Sequence, residues 1–216
     1  MSYLPKYKKS DFKKLSWDQY GKELEVLYAK IKTYTEKKKM KIDAVVPILR
    51  GGGVAGTYLT YRFNLLKMLP VQYHYFFGKG KMEVRRITGI SGRGLPKKPT
   101  FLLVEGNHCF GLTGEVAAKE LKRQFPGSKV LYAADHMDYS YQKNRYADVI
   151  FYGKLTNETK KLSTAECKRL GVSAYCCIFP WESIEEEWET VSGKQFKYKD
   201  LDVLSKAKVS ASVSGA

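Results

Sequence analysis

Phe101-Leu-Leu-Val-Glu-Gly-Asn-His-Cys-Phe-Gly-Leu-Thr-Gly114 decides the fold. The apolar run 101–104 reads as a buried strand that ends in an acid, Glu105. A short loop follows, and Gly111-Leu-Thr-Gly114 opens a helix-patterned segment over 113–125, which Pro126-Gly127 stops. A strand that feeds a small-residue loop at a helix N-terminus is a phosphate cradle. The unpaired N–H groups of the first turn and the positive end of the helix dipole both favour an anion there.

Working outward, Asp43-Ala-Val-Val-Pro-Ile-Leu49 reads as another short buried strand. Arg50-Gly51-Gly52-Gly53 follows it, and a helical pattern runs from Val54 to Phe63. Ser16-Trp-Asp-Gln19 fits a capping box. Behind it Trp17, Tyr20, Leu24, Leu27, Tyr28 and Ile31 recur at helical spacing, which predicts that they pack into the core. Val71, Tyr73, Tyr75 and Phe77 alternate as in a strand. Residues 78–99 show no clear periodicity. They are rich in glycine and in cations, Arg85 and Arg86 among them, and a loop of that length is expected to be a lid or a disordered segment. Residues 129–134, 147–151 and 174–179 read as further strands, and 184–191 as a short helix. The small, polar stretch 199–216 reads as a flexible tail. Alternating strands and helices predict an α/β fold with a mostly parallel sheet flanked by helices. Ligands in such sheets sit at the carboxyl ends of the strands, where the loops after Leu49 and Val104 meet if their strands are neighbours.

The chain has 216 residues, which fits one domain, assigned here to 1–198. Its net charge of +16 points to a polyphosphate substrate, an acidic partner or nucleic acid. Nucleic-acid contact is the weaker reading, because no aromatic–basic RNA motif accompanies the Lys37-Lys38-Lys39 run. No apolar stretch approaches the roughly 20 residues that span a bilayer, and the N-terminus lacks the apolar core of a signal peptide. The expectation is a cytoplasmic protein that does not enter a membrane. Cys109, Cys167, Cys176 and Cys177 show no C-x-x-C spacing, so reduced thiols and no metal site are predicted.

These pieces, in this order, resemble the type I phosphoribosyltransferases, particularly the hypoxanthine/xanthine/guanine group. Three stretches carry the resemblance: Ile48-Leu-Arg-Gly-Gly52, similar to the pyrophosphate loop; 102–113, similar to the phosphoribosyl-pyrophosphate loop; and Phe179-Pro-Trp-Glu182, similar to the end of the base-binding hood. The resemblance implies a hood near 175–191, a mobile flap at 78–99 and a role in purine salvage. It also implies a homo-oligomer whose partners are phosphoribosyl pyrophosphate, carried with Mg²⁺, and a nucleobase. Arg50, Gly51 and Gly52 would hold pyrophosphate. Gly111, Leu112, Thr113 and Gly114 would cradle the 5′-phosphate, Glu105 would bind the ribose hydroxyls, and Arg85 and Arg86 would close over the leaving group.

The chain departs from that pattern where the chemistry is concentrated. The family loop has two adjacent acids, but here Gly106 follows Glu105. Its Asp three residues later is Cys109, and its next Thr is Phe110. Glu105, His108 and Cys109 remain as catalytic candidates, with His108 either a substitute proton carrier or a loop residue without a role. The related purine enzymes place a Lys at the end of the strand that corresponds to 130–134, where this chain has Asp135 beside His136. An acid there accepts from an N–H instead of donating to a carbonyl; its other reading is a strand-end cap or salt bridge. Near Pro180 the stacking aromatic falls at Cys176, leaving Tyr175, Cys176 and Cys177 as base-site candidates. Residues 106–113 also trace a P-loop outline, but Leu112 stands where that motif needs Lys. A Cys109–His136 thiol nucleophile is a further option. The serious alternative to an enzyme is a nucleotide-sensing or nucleic-acid-binding regulator on the same fold.

Overall fold

The computed structural model describes residues 7–78 and 81–191. Ser16 caps the first long helix, α1 (Trp17–Lys37): its hydroxyl accepts from Gln19 N at 3.2 Å, and Gln19 Oε1 accepts from Ser16 N at 3.0 Å. Both orphan donors of that terminus are thus satisfied by the capping box that the spacing predicts. Ahead of it lies β1 (Phe12–Lys14). Behind it come β2 (Ala44–Leu49), α2 (Gly52–Arg62), the hairpin β3 (Val71–Gly78) and β4 (Lys81–Arg86), then β5 (Thr100–His108) and α3 (Leu112–Gln124). The chain continues through β6 (Lys129–Asp138), β7 (Val149–Thr156), α4 (Thr164–Leu170), β8 (Cys176–Ile178) and α5 (Ile184–Val191).

Six strands form one sheet in the order β4-β3-β2-β5-β6-β7, parallel throughout except for the antiparallel β3–β4 pair. Each central strand is apolar on both sides because each side is covered. Val45, Leu102, Val104, Leu131 and Ala133 pack with Leu24, Leu27 and Ile31 of α1 and Ala55 and Leu59 of α2. Their alternates Ala44, Val46, Leu103, Val130 and Tyr132 pack with Ala117, Ala118 and Leu121 of α3. This period of two, buried on both faces, explains the unbroken hydrophobic runs. A separate two-stranded sheet pairs β1 in parallel with β8, in the region expected as the hood. The N-terminal segment therefore builds half of an element whose other half lies some 160 residues later in sequence.

Three sequence expectations need correction. Residues 78–99 are not wholly irregular, because β4 pairs with β3 from Gly78↔Lys81 to Tyr73↔Arg86. β5 does not stop at Val104: β6 supplies partners as far as His108↔Met137, so Glu105, Gly106, Asn107 and His108 lie in the strand and only Cys109 and Phe110 separate it from the Gly111 cap. Trp17, expected in the core, is 60% exposed and packs its ring on Trp181 at 5.8 Å instead. The expected tail at 199–216 lies outside the described residues, as do 192–198 of the expected domain. No helix among the described residues is long and apolar enough to cross a membrane.

Candidate functional site

The carboxyl ends of β2 and β5 meet backbone to backbone. A Cβ on Gly52 would overlap the Val104 carbonyl, and one on Gly106 would sit 2.8 Å from the carbonyl carbon and oxygen of Gly51. Only glycine permits this approach. It brings Arg50, Gly51 and Gly52 against Glu105 and Gly106, as the sequence suggests for neighbouring loops. The Leu49–Arg50 peptide is cis. Arg50 is exposed, and its charge faces the hood, where it opposes the burial that raises the pKa of Glu182 and Glu187.

Gly111 caps α3 with a left-handed φ of +73° and no side-chain hydrogen bond. The helix N-terminus is therefore shaped by backbone, with Leu112, Thr113 and Gly114 in its first turn. Beneath it lies a buried polar chain. The Tyr132 hydroxyl donates to Glu105, and Nδ1 of His108 lies 2.7 Å from that hydroxyl. Nε2 of His108 is 2.7 Å from the Tyr141 carbonyl, so both ring nitrogens are engaged. His108 is 1% exposed, and its ring lies where a Gly111 side chain would go. Tyr132 in turn fills the space beside Gly114, 2.6 Å from where a Cβ would be. Burial raises the Glu105 pKa to about 7 against the hydrogen bond from Tyr132, and lowers that of His108. Glu105 and His108 thus belong to an internal hydrogen-bond network.

The remaining candidates divide. Arg86 pairs with Glu120 of α3 at 2.5 Å, and the Tyr73 hydroxyl donates to the other Glu120 oxygen at 2.8 Å. Arg86 is held against α3 here, while Arg85 is exposed on β4. Asp135 accepts from the Tyr20 hydroxyl, and burial pushes its pKa up to about 8. His136 bonds Glu23 through Nε2 at 2.7 Å and stacks on Phe179. Burial raises the Cys109 thiol pKa well above its usual value, the opposite of what a thiolate nucleophile needs, so the Cys109–His136 option finds no support. Tyr175 and Cys177 line a cleft of about 320 Å³ with Lys13, Glu23 and Lys154. Cys176 alternates away from it on β8 and lies near Cys109 and Glu158. The three hood candidates therefore do not form one surface.

Tyr20, Tyr132, Glu120 and Glu158 are the partners that sequence reading missed. Each is distant in sequence from the group it serves. Tyr132 and Glu120 lie within segments that read as strand and helix core, and Glu158 sits in a polar loop without a motif. Among the described residues no group of His, Cys, Asp and Glu could hold a metal ion, and the four cysteines are free.

No family model matches the sequence, and no curated protein does. Solved structures do match, and the fold is that of the type I phosphoribosyltransferases. A purine phosphoribosyltransferase from Pyrococcus horikoshii is 17% identical at a TM-score of 0.58, covering 80% of this chain and 95% of its own. A hypothetical protein from Neisseria gonorrhoeae with bound ppGpp is 18% identical at a TM-score of 0.59, with coverages of 85% and 98%. The xanthine-guanine-hypoxanthine phosphoribosyltransferase of Helicobacter pylori is 17% identical at 0.54, with coverages of 83% and 99%.

Proposed function

We propose that this chain binds phosphoribosyl pyrophosphate at the ends of β2 and β5 and transfers its ribose-phosphate to a purine or related base. The observation that supports this best is the glycine contact between the Arg50-Gly51-Gly52 turn and Glu105-Gly106. It sets the cationic Arg50 turn against Glu105-Gly106 of β5, the strand that leads into the α3 N-terminus, and the proposed site joins these two anion-attracting features. Pyrophosphate sits on Arg50 and the turn, and the 5′-phosphate on the first turn of α3. Mg²⁺ would come with the substrate and would offset the charge of the departing pyrophosphate; Glu105 is the carboxylate at this end of β5 that could support it. Ribose binding rests on Glu105 alone, which must exchange Tyr132 for a ribose hydroxyl. Catalysis is positioning of the base against C1 and stabilisation of the departing pyrophosphate.

A second reading, a nucleotide sensor without turnover, draws on the same observations. Glu105 and one oxygen of Asp135 are already engaged internally, and one similar fold carries ppGpp, a ribose bearing two diphosphates. Calorimetric titration with phosphoribosyl pyrophosphate and Mg²⁺, followed by a pyrophosphate-release assay over the common bases, separates the readings. Saturable binding with turnover on one base is expected. Binding without turnover favours the sensor, and no binding removes the transferase.

A further inference from the structure

The chain lacks the loop Asp of the family, since Cys109 occupies its place. Another carboxylate has come to that place from elsewhere in sequence. Glu158 lies in the loop between β7 and α4, and Asn107 of β5 donates its side-chain amide to Glu158 Oε2 at 3.0 Å. The other oxygen, Oε1, is buried and has no hydrogen-bond partner among the described residues. A buried acceptor without a donor is costly and rare, and an oxygen left so is available to an incoming N–H. Glu158 is 6% exposed. Cys109 adjoins its carboxylate, with Cys176, Tyr7 and Asp138 in its electrostatic surroundings. The nearby acid Asp138 is not an alternative. Its Oδ1 accepts from Ser140 N at 2.8 Å and Thr159 Oγ1 at 3.0 Å, and its Oδ2 from Thr159 N at 2.8 Å.

Building on the phosphoribosyltransferase reading, we infer that Glu158 is the general base of the transfer, taking over in space the work of the acid that Cys109 replaces. As a ring nitrogen of the base bonds to C1, the C1–O bond to pyrophosphate breaks and its electron pair leaves with pyrophosphate. The proton of that ring nitrogen, or of its tautomeric partner, passes to Glu158 Oε1. Atoms and charge balance with no further reactant. Asn107 fixes the carboxylate through Oε2, and the Cys109 thiol, a weak donor that also hydrogen-bonds the carboxylate, is the group an incoming N–H displaces. The titratable groups around it are Cys109, Cys176, Cys177, Asp138, Glu182 and Tyr7, with the Lys160 cation over the Tyr7 ring two residues along the same loop. Burial, reinforced by Asp138 and Glu182, places its pKa at about 7 against the opposing effect of Asn107 and Cys109. A base is most effective with a pKa near the working pH.

The test compares the full chain with Glu158→Gln and Glu158→Asp. In the native chain kcat/KM should rise with pH through about 7, as Glu158 ionises. Glu158→Gln should keep its affinity for phosphoribosyl pyrophosphate within about twofold, lose about 100-fold or more in turnover, and lose the acid limb of the profile. Glu158→Asp keeps the carboxylate at shorter reach, so it should be slower but retain the limb; it also serves if the amide variant fails to fold. Native turnover with an unchanged limb in Glu158→Gln, or loss of the limb in a folded Glu158→Asp, would overturn the inference. So would native binding without turnover on any base, which leaves the binding reading intact. Failure of the native chain to bind phosphoribosyl pyrophosphate would remove both.

Discussion

Tyr20 of α1 donates its hydroxyl to Oδ2 of Asp135 across 2.5 Å, so a helix near the N-terminus supplies a donor to the buried acid of β6. The other oxygen, Oδ1, is buried without a hydrogen-bond partner among the described residues. Tyr20→Phe leaves the ring packed on Phe179 and Trp181 but removes the donor. The expected cost is about 1–3 kcal/mol, read from urea unfolding. A midpoint unchanged from native would show that the bond contributes nothing.

Stability should fall as pH rises above the acidic range. Burial raises the folded pKa of Asp135 to about 8 and those of Glu105 and Glu158 to about 7. Unfolded carboxyls titrate near about 4, so between about 4 and these raised values the folded chain holds protons that the unfolded chain has released. Stability is then greatest below about pH 4 as far as these groups are concerned, and is lost as pH climbs through the folded pKa values. Asp135→Asn should flatten the slope by on the order of 1 kcal/mol per pH unit, measured by denaturant unfolding from pH 5 to 8. An identical slope in the variant would contradict the assignment.

Tyr132→Phe removes the hydroxyl shared by Glu105 and His108 and leaves two buried groups short of a partner. A loss of about 1–3 kcal/mol is expected. Thermal unfolding reads the loss. Free Glu105 should also bind ribose more readily, so affinity for phosphoribosyl pyrophosphate should hold or improve while the fold weakens. Falling affinity in a folded variant would mean that Tyr132 helps the ligand.

Gly106→Asp restores the family's second acid in sequence but not in space. Its Cβ would lie 2.8 Å from backbone atoms of Gly51, which cannot move as a side chain can. The variant should be less stable than native and should not gain affinity for the Mg²⁺ complex of phosphoribosyl pyrophosphate. Tighter binding by calorimetry in a folded variant would show that the Arg50 turn yields easily.

Arg86→Ala strips the cation from Glu120, which is 2% exposed and shared with Tyr73. A buried carboxylate without its partner costs about 3–5 kcal/mol. Arg86→Lys should recover part of the loss. A surface-like change of a few tenths in unfolding free energy would show that Arg86 does not hold β4 on α3.

The sequence by itself determined the α/β class, the capped first helix, the Arg50 glycine turn and the strand–loop–helix around Gly111. Each is written in local signals: Ser16 and Gln19 three apart, apolar runs of strand length, glycines where backbone must turn or approach. Tertiary structure decided the rest. β5 reaches His108 because β6 runs alongside it as far as Asp138, which no reading of 105–108 alone could show. Arg86 faces α3 because Glu120 is buried there. Glu105, Asp135 and Glu158 owe their raised pKa values to the depth of their burial, opposed by hydrogen bonds from Tyr132, Tyr20 and Asn107, all set by residues far along the chain. Propensity and spacing act within a few residues, but desolvation and hydrogen bonding act between whatever the fold brings together. A carboxylate's chemistry therefore stayed unwritten until its neighbours were in place.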